Sequence, residues 1–195
     1  MDRQRYRYRD DSIEPGNHTV SLVGVAELGS RVAELLAREG YTVRLIDSRS
    51  VEYHCLYGST LFTTDDVGVS LAEAAKRHIR EINPNCVVKA FDEGLRENTA
   101  YLLQGDLLLS TVVDKKMNHV VRERAIDAGS PWAALNLSDE GLRVDTKPRV
   151  AERHGMHDGG YRPSRAAIAA GRVVERVDTW IEEGVRSRVM RLLVD

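Results

Sequence analysis

The chain has 195 residues and a formal net charge of −2, so overall charge gives no reason to expect binding to nucleic acid or a membrane surface. Its two cysteines, Cys55 and Cys86, do not form a C-x-x-C pair. The low cysteine count excludes a disulfide-rich scaffold and a zinc ribbon, so no zinc is expected. The low cysteine content also favours a reducing, cytoplasmic location. No apolar run approaches the roughly 20 residues that a membrane-spanning helix requires.

Residues 19–47 have the pattern of a nucleotide-binding strand–helix–strand unit. An apolar run over 20–23 leads into a turn and a helix, and a second apolar run over 43–46 ends on Asp47. In such units the N–H groups at the helix N-terminus face an anion, and an acid about 20 positions on accepts hydrogen bonds from ribose hydroxyls. The pattern predicts Asp47 as the ribose-binding acid.

The turn of this unit departs from the usual glycine pattern. Gly24 and Gly29 are present, but Ala26 occupies the position of the middle glycine. Glu27 adds a carboxylate where the negative charge of a phosphate is expected. The turn therefore indicates the fold more strongly than it indicates the ligand.

Helical and strand-like segments alternate through the next ninety residues. Apolar spacing predicts helices, and short apolar runs bounded by turn residues predict buried strands. The predicted elements are a helix over 66–82, a strand over 86–91, a helix over 97–104, a strand over 107–113, a helix over 118–128 and a strand over 131–137.

The last third begins with a short strand at 142–145. A segment rich in charge, glycine and proline follows over 147–162 and is predicted as a mobile crossover loop. Pro163 then opens one long helix that ends at Gly184, and a terminal strand follows over 189–194. The whole pattern predicts an α/β fold with a doubly wound, mostly parallel Rossmann-like sheet that carries helices on both faces.

The domain organisation is predicted as a basic N-terminal arm over 1–17 and one nucleotide-binding domain over 18–195. In the arm, Arg3, Arg5, Arg7 and Arg9 alternate with glutamine and tyrosine. This pattern suits either a segment that binds phosphates or a partner, or a solvated tail.

Several motifs in combination resemble the ubiquitin-activating-enzyme-like superfamily, the ThiF/MoeB/HesA group. The glycine turn, Asp65-Asp66-Val67-Gly68 and Ile82-Asn83-Pro84-Asn85 fall in that family's order and spacing, and Asp114 follows the strand whose end carries the family's metal-nucleotide aspartate. An NAD-binding regulatory domain of the ion-channel type and a plain dehydrogenase both share the features of 20–50, but the two later motifs are foreign to both. The chain is identified as a small, degenerate member of the superfamily.

The resemblance implies ATP-dependent activation of a carboxylate. Family members adenylate the C-terminus of a ubiquitin-like or sulfur-carrier protein and work as dimers, so ATP, Mg²⁺ and such a protein are the implied cofactors and partner. Carried over by position, Gly24, Ala26, Gly29, Asp47 and Lys115 would bind the nucleotide. Asp114 would hold magnesium through ATP and act in catalysis.

Other family positions have changed. The family's second aspartate is Arg49 here, its Asn-x-x-Arg-Gln motif falls on residues 55–59, and its lysine falls on Leu71. Arg49 could replace the missing catalytic cation. The arm resembles the family's entry segment, so its arginines could reach a partner's nucleotide in trans; the candidates are Arg5, Arg7 and Arg9.

Two hypotheses follow from these departures. The chain is either an adenylyltransferase with a substituted set of cations, or a degenerate subunit that dimerises, docks a small protein and serves an active ThiF-like copy. In either case the chain is expected to form a homodimer or a heterodimer. It is not expected to bind nucleic acid or a membrane. A third hypothesis gives the altered pocket NAD or another nucleotide for regulation.

Overall fold

The computed structural model describes residues 18–138, 141–146, 163–186 and 188–190. The predicted arm over 1–17 and the crossover loop over 147–162 lie outside these residues. No helix of the described part is long and apolar enough to cross a membrane.

One seven-stranded sheet forms the centre of the molecule, with the strand order β3-β2-β1-β4-β5-β6-β7. The first five strands run parallel, and β6 and β7 are antiparallel to their neighbours. The predicted α/β, mostly parallel sheet is thereby confirmed. The strands are β1 (Thr19–Val23), β2 (Thr42–Ile46), β3 (Val88–Phe91), β4 (Leu107–Ser110), β5 (Trp132–Ser138), β6 (Gly141–Asp145) and β7 (Arg188–Met190).

Helices cover both faces of this sheet. Two further segments, Thr64–Asp66 and Glu97–Leu102, form 3₁₀ helix. The α-helices are α1 (Glu27–Arg38), α2 (Cys55–Gly58), α3 (Leu71–Ile82), α4 (Lys115–Ala128), α5 (Pro163–Val174) and α6 (Val177–Glu183).

Each face has its own apolar core. The larger core joins α1, α3, α5 and α6 to the sheet, and the smaller one lies under α4 and the 3₁₀ helix at 97–102. On α1 the buried apolar side chains include Leu28, Val32 and Leu36, which recur at helical spacing. The helix α5 packs directly on α1, so the last third of the chain completes the larger core.

The predicted helices differ from the structure in their bounds. The helix predicted over 66–82 begins only at Leu71, and the one predicted over 97–104 is a 3₁₀ helix over 97–102. The helix α4 begins at Lys115 rather than at 118, because the Oδ1 of Asp114 accepts a hydrogen bond from the backbone N–H of Met117 at 2.8 Å and caps the first turn. The single helix predicted from Pro163 to Gly184 is divided at 175–176. The break turns Val177 and Trp180 into the larger core.

The segment between β2 and α3 is more ordered than its irregular sequence indicates. Its backbone pairs with itself, since the N–H of Val51 donates to the carbonyl of Val69 at 2.7 Å and the N–H of Gly68 donates to the carbonyl of Val51 at 2.9 Å. The N–H of Leu71 also donates to the carbonyl of Arg49, at 2.9 Å. These bonds fix the chain that follows the end of β2.

A fully buried carboxylate, Asp66, anchors this segment to α3. Its Oδ2 accepts hydrogen bonds from the N–H of Thr63 at 2.7 Å and from the Nε2 of His78 at 2.9 Å, and Arg77 contacts its Oδ1. Burial alone would raise the pKa of Asp66, but the hydrogen bonds from Thr63 and His78 outweigh it and lower the pKa. A charge buried with this many partners is costly to disturb.

Gly24 and Gly29 allow β1 and α1 to meet in a tight turn. Gly24 has a φ of +89°, which L side chains rarely adopt. A Cβ on Gly29 would lie 2.0 Å from the carbonyl oxygen of Gly24, so only glycine permits this approach of the helix to the turn.

We expect Asp66→Asn to lower the free energy of unfolding by about 3 kcal/mol at neutral pH, because it removes the buried charge that Thr63, Arg77 and His78 contact. The folded-state pKa of Asp66 lies below its unfolded value of about 3.9, so the carboxylate's contribution is complete above that value and is lost as the pH falls through the folded-state pKa. Urea denaturation at about pH 7 and about pH 3 should show that the difference in the free energy of unfolding between wild type and variant is smaller at the lower pH. The exposed neighbour provides the control, Asp65→Asn, and an equal loss in both variants would contradict the assignment.

A pair of glycine substitutions tests the turn. We expect Gly29→Ala to destabilise the protein by about 3 kcal/mol or more, because its methyl group meets a fixed carbonyl. Gly171→Ala, in the open face of α5, should instead raise stability by about 0.5–1 kcal/mol through helix propensity. Urea denaturation of both variants measures this difference, and Gly29→Ala with wild-type stability would be incompatible with the turn described above.

Candidate nucleotide-binding site

The candidate site lies at the carboxyl ends of β1 and β4. The strand order reverses between these neighbours, and open α/β sheets bind ligands in the crevice at such a point. The Oγ1 of Thr111, which follows β4, donates to the carbonyl oxygen of Gly24 at 2.9 Å. This bond joins the two loops that border the crevice.

Asp47 lies at the end of β2 with both carboxylate oxygens occupied. Its Oδ2 accepts hydrogen bonds from the N–H of Val25 at 2.8 Å and from the Nη2 of Arg49 at 2.7 Å. Its Oδ1 accepts from the N–H of Arg49 at 3.0 Å and from the Nε at 2.9 Å. The side chain of Asp47 is only 4% exposed, whereas that of Arg49 is 55% exposed. The guanidinium therefore covers the carboxylate.

Electrostatics around Arg49 favour its charged form. The hydrogen bond to Asp47 raises the pKa of Arg49 against the opposing effect of burial, and the charges of Asp47 and Glu27 add to the increase. Arg49 was predicted as a substitute phosphate cation. Its guanidinium is instead paired with the predicted ribose-binding acid, and a catalytic role for it stays a prediction.

The first turn of α1 carries an acid where the family resemblance places phosphate. Ala26 is the N-cap and provides no side-chain hydrogen bond to the helix end. Glu27 follows it, and the Cβ and Cγ of Glu27 pack so closely on Gly58 that a Cβ built there would lie 2.5 Å from Cγ. The glycine at the position of the family's motif arginine therefore makes room for Glu27.

Sequence reasoning missed α2 and the contacts that hold it to α1. The Nε of Arg31 donates to the carbonyl oxygen of Gly58 at 2.9 Å, and the hydroxyl of Ser30 lies 2.9 Å from that of Ser59. Four helical residues without a cap or an apolar repeat give no periodic signal. The sequence points to this segment only through the replaced residues of the family's Asn-x-x-Arg-Gln motif over 55–59.

The remaining predicted residues have different environments. Leu71, at the family's lysine position, is 1% exposed and belongs to the larger core. Asp114 and Lys115 are exposed at the N-terminal end of α4, on the loop that follows β4. The structure thus brings Gly24, Gly29, Asp47 and Arg49 together and places Asp114 and Lys115 on the bordering loop, while Arg5, Arg7 and Arg9 lie outside the described residues.

Cys55 is buried at the start of α2. Its Sγ lies 3.7 Å from the Nε2 of His54, and burial raises the pKa of the thiol. Burial and the raised pKa of the thiol favour a structural role for Cys55 rather than a role as a nucleophile. Within the described ranges, no group of three or more His, Cys, Asp or Glu side chains could hold a metal ion.

Comparisons with known proteins agree with this architecture. MOCS3 of Drosophila grimshawi, named an adenylyltransferase and sulfurtransferase, is 30% identical over 149 residues that make up 75% of this chain and 32% of that protein. The sulfur carrier protein adenylyltransferase of Thermus thermophilus is 29% identical over 149 residues, 74% of this chain and 54% of that protein. This chain thus spans only part of the length of its relatives.

The structure of E. coli MccB with MccA-N7isoASN shares the fold, with a TM-score of 0.73 at 16% identity over 90% of this chain and 64% of that one. Another structure of MccB contains ATP. The sequence model of the ThiF family matches residues 14–139, which is more than half of the chain. The chain therefore belongs to the ThiF family.

Proposed function

We propose that this chain is a docking subunit of the ThiF family that binds a small ubiquitin-like or sulfur-carrier protein and assembles with a catalytically active ThiF-like copy. In this proposal its own crevice does not hold the triphosphate of ATP. The relatives named above are adenylyltransferases, and one of them acts on a sulfur carrier by name.

The observation that carries the proposal is the occupied carboxylate of Asp47. A ribose hydroxyl that donated to this carboxylate would have to displace the two side-chain hydrogen bonds of Arg49, at 2.9 and 2.7 Å. The exchange would replace two hydrogen bonds of an ion pair by the bond of a neutral hydroxyl and would leave the guanidinium without its counter-ion. The residues present do not fit the sugar of ATP in the way the family resemblance implies.

The phosphate end of the crevice supports the same proposal. A triphosphate needs cations and free N–H donors, but the first turn of α1 carries Glu27, and the family's arginine and lysine positions are Gly58 and Leu71. The carboxylate of Asp114, the proposed magnesium-linked acid, caps α4 through Met117.

Exposed aromatic side chains next to the crevice support docking. Tyr53 and Tyr57 are 70% and 80% exposed, and their spacing of four residues spans the turn that leads through α2. Large aromatic side chains at such exposure are typical of protein interfaces, where they become buried anchors.

A second candidate is an active adenylyltransferase with a substituted set of cations. It is favoured by Lys115 and Lys116, both exposed beside Asp114 at the edge of the crevice. In that case Arg5, Arg7 and Arg9 of a partner copy are the proposed additional phosphate ligands, and ATP with Mg²⁺ the proposed cofactors.

Nucleotide measurements separate the two candidates. We expect the purified chain to show no saturable ATP binding by calorimetry, with or without Mg²⁺, and no pyrophosphate exchange with a sulfur-carrier protein, because Arg49 occupies the carboxylate of Asp47 and Glu27 places an acid in the first turn of α1. Tight binding together with exchange that disappears in Asp114→Ala would overturn the docking proposal. Lys89→Ala, an exposed position on the edge strand β3, is the control for a general surface effect.

Docking has its own measurement. We expect Tyr53→Ser/Tyr57→Ser to weaken binding of a candidate sulfur-carrier protein by about tenfold or more in calorimetry, because two exposed aromatic anchors are lost. Tyr101→Ser, which is also exposed but lies on the 3₁₀ helix at 97–102, should leave affinity unchanged. If the double variant binds as well as wild type, the proposed docking surface is wrong.

A further inference from the structure

Arg49 presents an unused donor edge to solvent at the sugar end of the crevice. A guanidinium has five N–H donors in a planar fork, and Asp47 takes the edge formed by Nε and Nη2. The second edge, formed by Nη1 and Nη2, has no recorded partner among the described residues. Two parallel N–H groups on one edge match two oxygens of a phosphate.

The position of this edge is fixed before any ligand arrives. The backbone of Arg49 is held on both sides, because its N–H donates to Asp47 at 3.0 Å and its carbonyl accepts from Leu71 at 2.9 Å. The side chain is held by its two bonds to the same carboxylate. An anion would therefore bind a pre-oriented fork and would immobilise few additional torsions.

The geometry points to a nucleotide whose ribose carries a 2′-phosphate as the ligand of this crevice, with the free edge of Arg49 as the phosphate-binding group. In dinucleotide folds the residue at the end of this strand meets the 2′-position of the ribose, and a nearby arginine there accommodates a 2′-phosphate. The inference rests on the proposed function, in which the crevice does not hold ATP.

Charges around the fork set the selectivity. The hydrogen bond to Asp47 and the nearby carboxylate of Glu27 both raise the pKa of Arg49, so two acids lie close to the fork. These carboxylates repel every anion, so the selectivity comes from geometry, because a phosphate offers two oxygens to the planar edge of the guanidinium. Glu27 should therefore weaken binding, and Glu27→Gln should strengthen it for every phosphorylated nucleotide.

Calorimetry with three adenosine nucleotides tests the inference directly. The probes are adenosine 2′,5′-bisphosphate, its 3′,5′ isomer with the same charge, and AMP without the second phosphate. We expect the 2′,5′ compound to bind about tenfold more tightly than the other two, the contribution of one bidentate charge-assisted contact. Equal affinity for the two isomers, or for the 2′,5′ compound and AMP, would overturn the inference.

Arg49 variants identify the binding group. Arg49→Ala should remove the advantage of the 2′,5′ compound, and Arg49→Lys should keep only part of it, because lysine keeps the charge and loses the fork. The control is Arg38→Ala, which removes the same charge from an exposed pair with Glu34 on α1. If Arg49→Ala does not fold, as judged by circular dichroism, Arg49→Lys provides the test: a partly reduced preference for the 2′,5′ compound supports the role of Arg49, and an unchanged preference rejects it.

Failure of this inference differs from failure of the proposed function. A chain that prefers no bisphosphate but also shows no ATP binding or pyrophosphate exchange retains the docking role and loses the 2′-phosphate ligand. ATP binding with exchange would overturn the docking role whatever the bisphosphates do. An unchanged preference in Arg49→Ala would show that another cation binds the phosphate and would reject the assignment of Arg49.

Discussion

The buried carboxylate of Asp47 is the constraint on which the crevice depends. It joins the turn after β1 to the end of β2 through the N–H of Val25. The other acceptor positions of the carboxylate also need donors, because an unpaired buried charge is costly. In a nucleotide-binding domain a ligand can meet part of that need. Here Arg49, two residues further on, meets it from within the chain, so the loops at the crevice are held together without a ligand.

The changes around this carboxylate compensate one another. Gly58 gives space to the stem of Glu27 and offers its carbonyl to Arg31, while Leu71 contributes to the larger core. Both residues therefore make packing or hydrogen-bonding contacts of their own. In the proposed function, Arg49 then gives the crevice a cation beside the carboxylate of Asp47, and Glu27 gives the first turn of α1 an acid.

The fold could be predicted from the sequence to a much greater extent than the site. Apolar runs such as Leu107–Leu109 and the helical spacing of α1 report burial directly, and burial decides the sheet and its two cores. The pairing of Arg49 with Asp47 depends on the path of the chain after β2, which is set by backbone bonds to 68–71. The helix α2 is too short for periodicity, and the break at 175–176 follows from tertiary packing of Trp180.

The packing of α5 on α1 has a consequence for biosynthesis. Residues near the start of the chain, such as Val32 and Leu36, share one core with Ala169 and Val173 from its last third. A ribosome-bound chain in which residues 163–174 have not yet emerged would expose this apolar face of α1. Contacts at such sequence separation also slow folding. The domain should therefore acquire its native structure only after α5 has emerged from the ribosome.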